Sequence, residues 1–93
     1  PSAEIIRLLR AAGARVCYSD PHIARTHPGR KGDLAMESVE LTPERLEAAD
    51  AVIIATDHDA FDWGRIAEHA GLIVDTRGRM RRVEGVRGEV VSA

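Results

Sequence analysis

The run Ala51-Val52-Ile53-Ile54-Ala55-Thr56 carries no charge and no turn-forming residue, and its centre is β-branched. Unbroken apolar character of this kind suits a strand covered on both faces, which means a parallel sheet flanked by helices. A second such run, Leu72-Ile73-Val74, stops abruptly at an acid, a hydroxyl and an arginine, Asp75-Thr76-Arg77. Between them residues 60–70 place Phe61, Ile66 and Ala67 on one side and end at Gly71, a helix pattern with its stop. Strand, helix, strand at this spacing predicts a parallel crossover unit, with the first run as its central strand.

The flanking segments extend the alternation. Ile5, Ile6, Leu8, Leu9 and Ala12 recur at helical spacing behind Ser2, a candidate cap, and ahead of Gly13, so a helix is expected over residues 3–12. Arg15-Val16-Cys17-Tyr18-Ser19 reads as a buried parallel strand ended by Asp20-Pro21. Residues 21–32 mix proline, glycine, histidine and basic residues without period, which is a loop. Residues 38–41 alternate like a short edge strand, and Thr42 with Pro43 opens a further helix that Asp50 closes. Residues 78–93 are rich in glycine and arginine, and only Glu89-Val90-Val91 can add a last short strand. No repeat and no second-domain boundary is visible, so residues 1–93 read as a single domain. The pattern starts on a helix. The expected fold is therefore α/β, a Rossmann-like three-layer doubly wound parallel sheet lacking its first strand. Either the chain is a piece of a longer polypeptide or another segment completes the sheet.

Composition narrows the function classes. A net charge of -2 and only one Tyr, one Phe and one Trp provide neither the basic field nor the stacking rings of a nucleic-acid platform. No segment has the length to span a bilayer and no signal-peptide pattern opens the chain, so a cytoplasmic setting is expected. The single cysteine, Cys17, lies in a strand-like run and reads as a small core residue rather than a nucleophile. With 93 residues, a chain buries roughly 60% of its unfolded surface, so a partner surface would add stability.

In an open α/β sheet, ligands bind at the carboxyl ends of the strands. Arg77 ends such a strand and is the first candidate for an anion, the alternative being a surface arginine paired with Asp75. Arg79, Arg81 and Arg82 either extend that patch or form a solvated turn. Asp57, His58 and Asp59 superficially suggest a metal site, but three consecutive residues cannot all face one ion. Capping of the next helix by Asp57 or Asp59 is the favoured reading, with His58 a possible crevice residue and no metal expected. Asp20 follows a strand as ribose-binding acids do, yet no glycine fingerprint precedes it, which favours a turn with Pro21. His22 and His27 read as solvent-exposed, His69 as a cation at a helix end, and Trp63 as packing.

Several of these segments fall into a known order. They are Ser2-Ala3-Glu4-Ile5-Ile6-Arg7-Leu8-Leu9, Gly13-Ala14-Arg15-Val16, Tyr18-Ser19-Asp20-Pro21, Ala49-Asp50-Ala51-Val52-Ile53-Ile54-Ala55-Thr56-Asp57-His58 and Ile73-Val74-Asp75-Thr76-Arg77. In this order the chain resembles the C-terminal, UDP-binding domain of the UDP-glucose and UDP-N-acetylmannosamine dehydrogenases, from Pro1 to about Gly78 with a weaker continuation to Val91. The resemblance implies a parent enzyme with an N-terminal NAD-binding domain, a catalytic cysteine and a central dimerising helix, oxidising a sugar C6 alcohol to a carboxylate. It implies a UDP-sugar as ligand, NAD bound mainly outside this chain, the remaining parts of the parent enzyme as partners, and a homo-oligomer. No catalytic residue carries over, and Cys17 does not inherit the nucleophile's role. Arg77 matches the arginine that contacts the nucleotide sugar, so Asp75, Thr76 and Arg77 are the expected substrate-binding residues. Gly78 departs from the usual asparagine, and the resemblance implies that the family's phosphate-facing lysine lies on the strand before Pro1, so that the expected site is incomplete in these residues.

Two other classes fit parts of the pattern. A flavodoxin-like signalling module would use Asp57 as phosphoacceptor but lacks the acidic pair and the lysine such modules need. A strand-pairing interaction module would use the open edge of the sheet.

Overall fold

The computed structural model describes residues 2–20, 30–31 and 36–93, in two compact units, Pro1–Glu40 and Leu41–Ala93.

In the first unit, α1 spans Ser2–Ala11, with Ser2 as its first helical residue rather than its cap. Its Ile6 is buried and Leu8 is exposed. Gly13 then takes a positive φ of 94°, the turn that a glycine makes without strain. Strands β1 (Arg30–Lys31) and β2 (Met36–Glu37) pair antiparallel. Three expectations change here. Residues 15–19 form no strand beyond a parallel bridge from Tyr18 to Ser38, because the apolar stretch is short and alternates between exposed and half-buried positions. Cys17 is exposed, not core. The antiparallel strand covers residues 36–37, only Ser38 of residues 38–41 pairs, in its bridge to Tyr18, and Arg30 and Lys31, read as loop, form the partner strand. His22 and His27 lie outside the described residues.

The second unit builds a parallel three-stranded sheet in the order β3 (Val52–Ile54), β4 (Leu72–Asp75), β5 (Glu89–Ser92). This is an open α/β, Rossmann-like arrangement with flanking helices. The helices are α2 (Pro43–Ala48) and α3 (Trp63–His69), and a short 3₁₀ helix covers Arg79–Arg82. Thr42 caps α2 by accepting the Arg45 N–H at 3.2 Å, and Pro43 sits where its missing N–H costs nothing. Ala49, not Asp50, ends that helix.

One core unites the unit. Leu46 of α2, Trp63, Ile66 and Ala67 of α3, Ile54 of β3, Ile73 of β4, Ala70 and Met80 are all buried together. Successive strand residues point to opposite faces. Ile54 and Ile73 thus face the core, while Ile53 stays 37% exposed. Strand β3 is also an edge of this sheet and β4 its centre, the reverse of the sequence expectation. An uncharged run reports that a strand is apolar, not how many neighbours it has.

Strand β5 comes alongside β4 by a close backbone approach. The Glu89 N–H reaches the Gly71 carbonyl at 3.0 Å, and a Cβ on Gly88 would collide with the Ala70 and Gly71 carbonyls. The last expected strand therefore forms, one residue longer than anticipated. No helix among the described residues is long and apolar enough to cross a membrane.

Candidate phosphate site at the carboxyl ends of the strands

All three strands of the sheet run the same way, so the ends of β3 and β4 lie side by side and their following loops share one rim. At the end of β4, Asp75, Thr76 and Arg77 divide the work. Asp75 is 2% exposed, and its two carboxylate oxygens accept the backbone N–H groups of Arg77 at 3.0 Å and Met80 at 2.8 Å. Burial pushes its pKa up, but hydrogen bonds from the backbone of Met80, Arg77, Arg79 and Gly78 outweigh that and hold it below the ordinary value. Thr76 joins the two strand ends, since its hydroxyl donates to the Ile54 carbonyl at 2.6 Å and its N–H donates to the same oxygen at 3.2 Å. Gly78 closes the turn at φ 73°, a left-handed position that asparagine also tolerates, which accounts for the exchange of one for the other.

Arg77 is what this turn presents. Its side chain is exposed and enters no salt bridge among the described residues. The alternative reading, a pairing with Asp75, is met only by the Arg77 backbone N–H and not by its guanidinium. A guanidinium held at a strand tip keeps its charge at any physiological pH and offers paired donors to phosphate oxygens.

The loop after β3 carries a second charged group that sequence reasoning did not assemble. Arg79 Nη1 donates to Asp57 Oδ1 and to Asp59 Oδ1, both at 2.7 Å, and Arg82 Nη2 donates to Asp57 Oδ2 at 3.2 Å. The Arg79 guanidinium lies over the Trp63 ring, 4.8 Å from its centroid. These carboxylates raise the Arg79 pKa further, and Arg79 in turn lowers that of Asp59. A pair of acids spaced Asp-x-Asp after one strand and a pair of arginines spaced Arg-x-x-Arg after its neighbour was the available signal.

This network reassigns several residues. Neither Asp57 nor Asp59 caps α3; Asp62 does, accepting the Arg65 N–H at 3.0 Å. Both oxygens of Asp57 are engaged by arginines, so nothing favours it as a phosphoacceptor. Arg79 is ion-paired and mostly covered, Arg82 is ion-paired while 68% exposed, and Arg81 is exposed, so the solvated-turn reading fails for Arg79 alone. His58 shapes the loop, its Nδ1 accepting the Ala60 N–H at 3.1 Å and its carbonyl accepting Trp63 Nε1 at 3.1 Å. Trp63 is packed in the core, and His69 at the end of α3 lies 2.6 Å from Glu47 of α2. Asp20 belongs to the first unit, where its N–H donates to Ser38 Oγ at 2.9 Å. No cluster of metal-ligating side chains occurs among the described residues.

A shallow, open depression of about 450 Å³ is lined by Gly64, Glu68, Glu84, Gly85, Val86 and Arg87. No strand-end residue lines it, and its two carboxylates against one arginine disfavour a nucleotide. The residues present do not fit a dinucleotide cofactor either. No Gly-x-Gly-x-x-Gly turn joins a strand to a helix, and the loop after β3 holds Asp57 and Asp59 where a pyrophosphate would need donors.

Among known families, the model described as UDP-glucose/GDP-mannose dehydrogenase family, UDP binding domain, matches residues 1–82. No curated protein and no solved structure matches the chain.

Proposed function

The chain belongs to the UDP-binding domains of the UDP-glucose/GDP-mannose dehydrogenase family, and from that premise we propose that it grips the diphosphate of a UDP-sugar through Arg77. The observation that carries this reading is an exposed arginine, in no salt bridge among the described residues, on a hydrogen-bonded turn at the carboxyl end of the sheet's central strand. Asp75 and Thr76 serve the same site by shaping the turn, and His58 and Asp57 belong to the neighbouring loop. The parent enzyme oxidises the sugar C6 alcohol to a carboxylate with NAD, acts as a homo-oligomer in the cytoplasm and supplies precursors for polysaccharides. NAD accepts hydride in that chemistry and is held by parts of the enzyme other than this chain. The contribution here is grip and orientation, so the chain alone has no turnover.

Calorimetric titration with UDP tests the reading. Arg77→Ala removes a charge-assisted contact and weakens binding by about tenfold or more. Equal affinity in the two proteins would remove Arg77 from the site.

A further inference from the structure

Arg79 stands two residues beyond Arg77 across the left-handed Gly78, and with Arg82 it ties the loops after β3 and β4 together. Its side chain is only 16% exposed, and the single nitrogen Nη1 holds both Asp57 and Asp59. The ring beneath it belongs to Trp63, a core residue whose Nε1 is itself bonded to the His58 carbonyl. Arg79 is thereby fastened to the loop before α3, to the core through α3, and to its own turn. Its buried Nε has no partner among the described residues. An unmet donor of this kind opposes the arrangement, so the carboxylates and the ring hold the side chain in place despite it.

Such a residue is poorly suited to touch a phosphate. Phosphate would have to displace two carboxylates from Nη1, and the two acids balance the charges of Arg79 and Arg82. Charge at this rim that no carboxylate compensates is left to Arg77 and Arg81, both exposed. We propose that Arg79 is a positioning residue for the nucleotide site: clamped by Asp57, Asp59 and Trp63, it fixes the turn that presents Arg77. The turn is then pinned from both sides, by the Asp75 carboxylate under its backbone and by Arg79 after it. The proposal rests on the reading of Arg77 as the phosphate ligand, but the pinning of the turn is a separate property and is measured separately.

The experiment uses the full chain and UDP as probe, with wild type, Arg77→Ala, Arg79→Gln, Arg79→Lys, Asp59→Asn and the double variant Arg77→Ala/Arg79→Gln. Asp59 is 93% exposed, so its variant leaves the core intact. Because both bonds run from one nitrogen, a lysine ammonium can supply charged donors to both acids, though not the stacking on Trp63, where glutamine supplies no charge. Arg79→Gln weakens UDP binding by about tenfold and Arg79→Lys recovers most of it; the double variant binds no more weakly than Arg77→Ala, as contacting residues are not additive. Asp59→Asn falls between wild type and Arg79→Gln. Wild-type affinity in Arg79→Gln overturns the proposal. A double variant markedly weaker than Arg77→Ala also overturns it, since Arg79 would then touch the ligand directly.

Hydrogen exchange at the Arg77 and Met80 amides decides the pinning independently of any ligand. Protection falls in Arg79→Gln and is kept in Arg79→Lys; unchanged protection in Arg79→Gln overturns the proposal. Absence of UDP binding in wild type with protection lost in Arg79→Gln would overturn the nucleotide reading while leaving the pinned turn intact. Fluorescence of Trp63, the chain's single tryptophan, checks that the guanidinium has left the ring in Arg79→Gln.

Discussion

A carboxylate withdrawn from water is destabilising unless donors surround it, and Asp75 meets that condition with backbone N–H groups alone. Asparagine keeps the shape but replaces one acceptor by a donor, so a backbone N–H at this turn loses its partner. Asp75→Asn is predicted to cost about 2 kcal/mol, measured by urea unfolding at neutral pH. The sign of the pH dependence follows from the depressed pKa. The folded protein binds this proton less readily than the unfolded chain, so the carboxylate's contribution is complete above the ordinary value of 3.8 and is lost as pH falls through the lower folded value. Wild type and Asp75→Asn should therefore converge in stability below about pH 4. A constant difference down to pH 2 would contradict this account. That Asp75-Thr76-Arg77 stands at the end of a strand was legible in the residues. The division of labour was not, because it depends on the Met80 amide folding back five residues later to meet the acid.

At the scale of elements, apolar runs and stop residues located β4, β5 and α2 with little error, since each signal is local. Helix α3 began later than its pattern suggested. Three acids, Asp57, Asp59 and Asp62, stand before it, and only the path of the loop decides which one meets the Arg65 N–H. The position of β3 in the sheet was equally beyond a local signal, because neighbours are contributed by segments distant in sequence. Two variants probe these elements. Thr42→Ala removes the cap of α2 and should cost about 1 kcal/mol. Gly88→Ala forces a methyl group onto the Ala70 and Gly71 carbonyls, which are backbone and cannot step aside. Its predicted cost of about 2 kcal/mol corresponds to a melting temperature lower by roughly 10 °C. A Gly88→Ala protein melting like wild type would show that β5 does not approach β4 as described.

For the molecule as a whole, family membership was legible through the order of its motifs more than through any single one. The family resemblance named the ligand class, which strand periodicity and charge alone would have left as an anion of unknown kind. The structure adds which arginines are already engaged: Arg79 and Arg82 are neutralised by Asp57 and Asp59, while Arg77 and Arg81 enter no salt bridge among the described residues. That pairing is made by cross-loop ion pairs between residues twenty or more positions apart, which no local spacing reveals. The most direct measurement of the central claim is a two-dimensional amide NMR titration of the chain with UDP. The account predicts saturable shifts at Ala55, Thr56, Thr76, Arg77 and Gly78, at the carboxyl ends of β3 and β4, and none at Gly71 or Gly88 at the opposite end. Shifts confined to that opposite end, or to the depression beside Glu68 and Glu84, would contradict it.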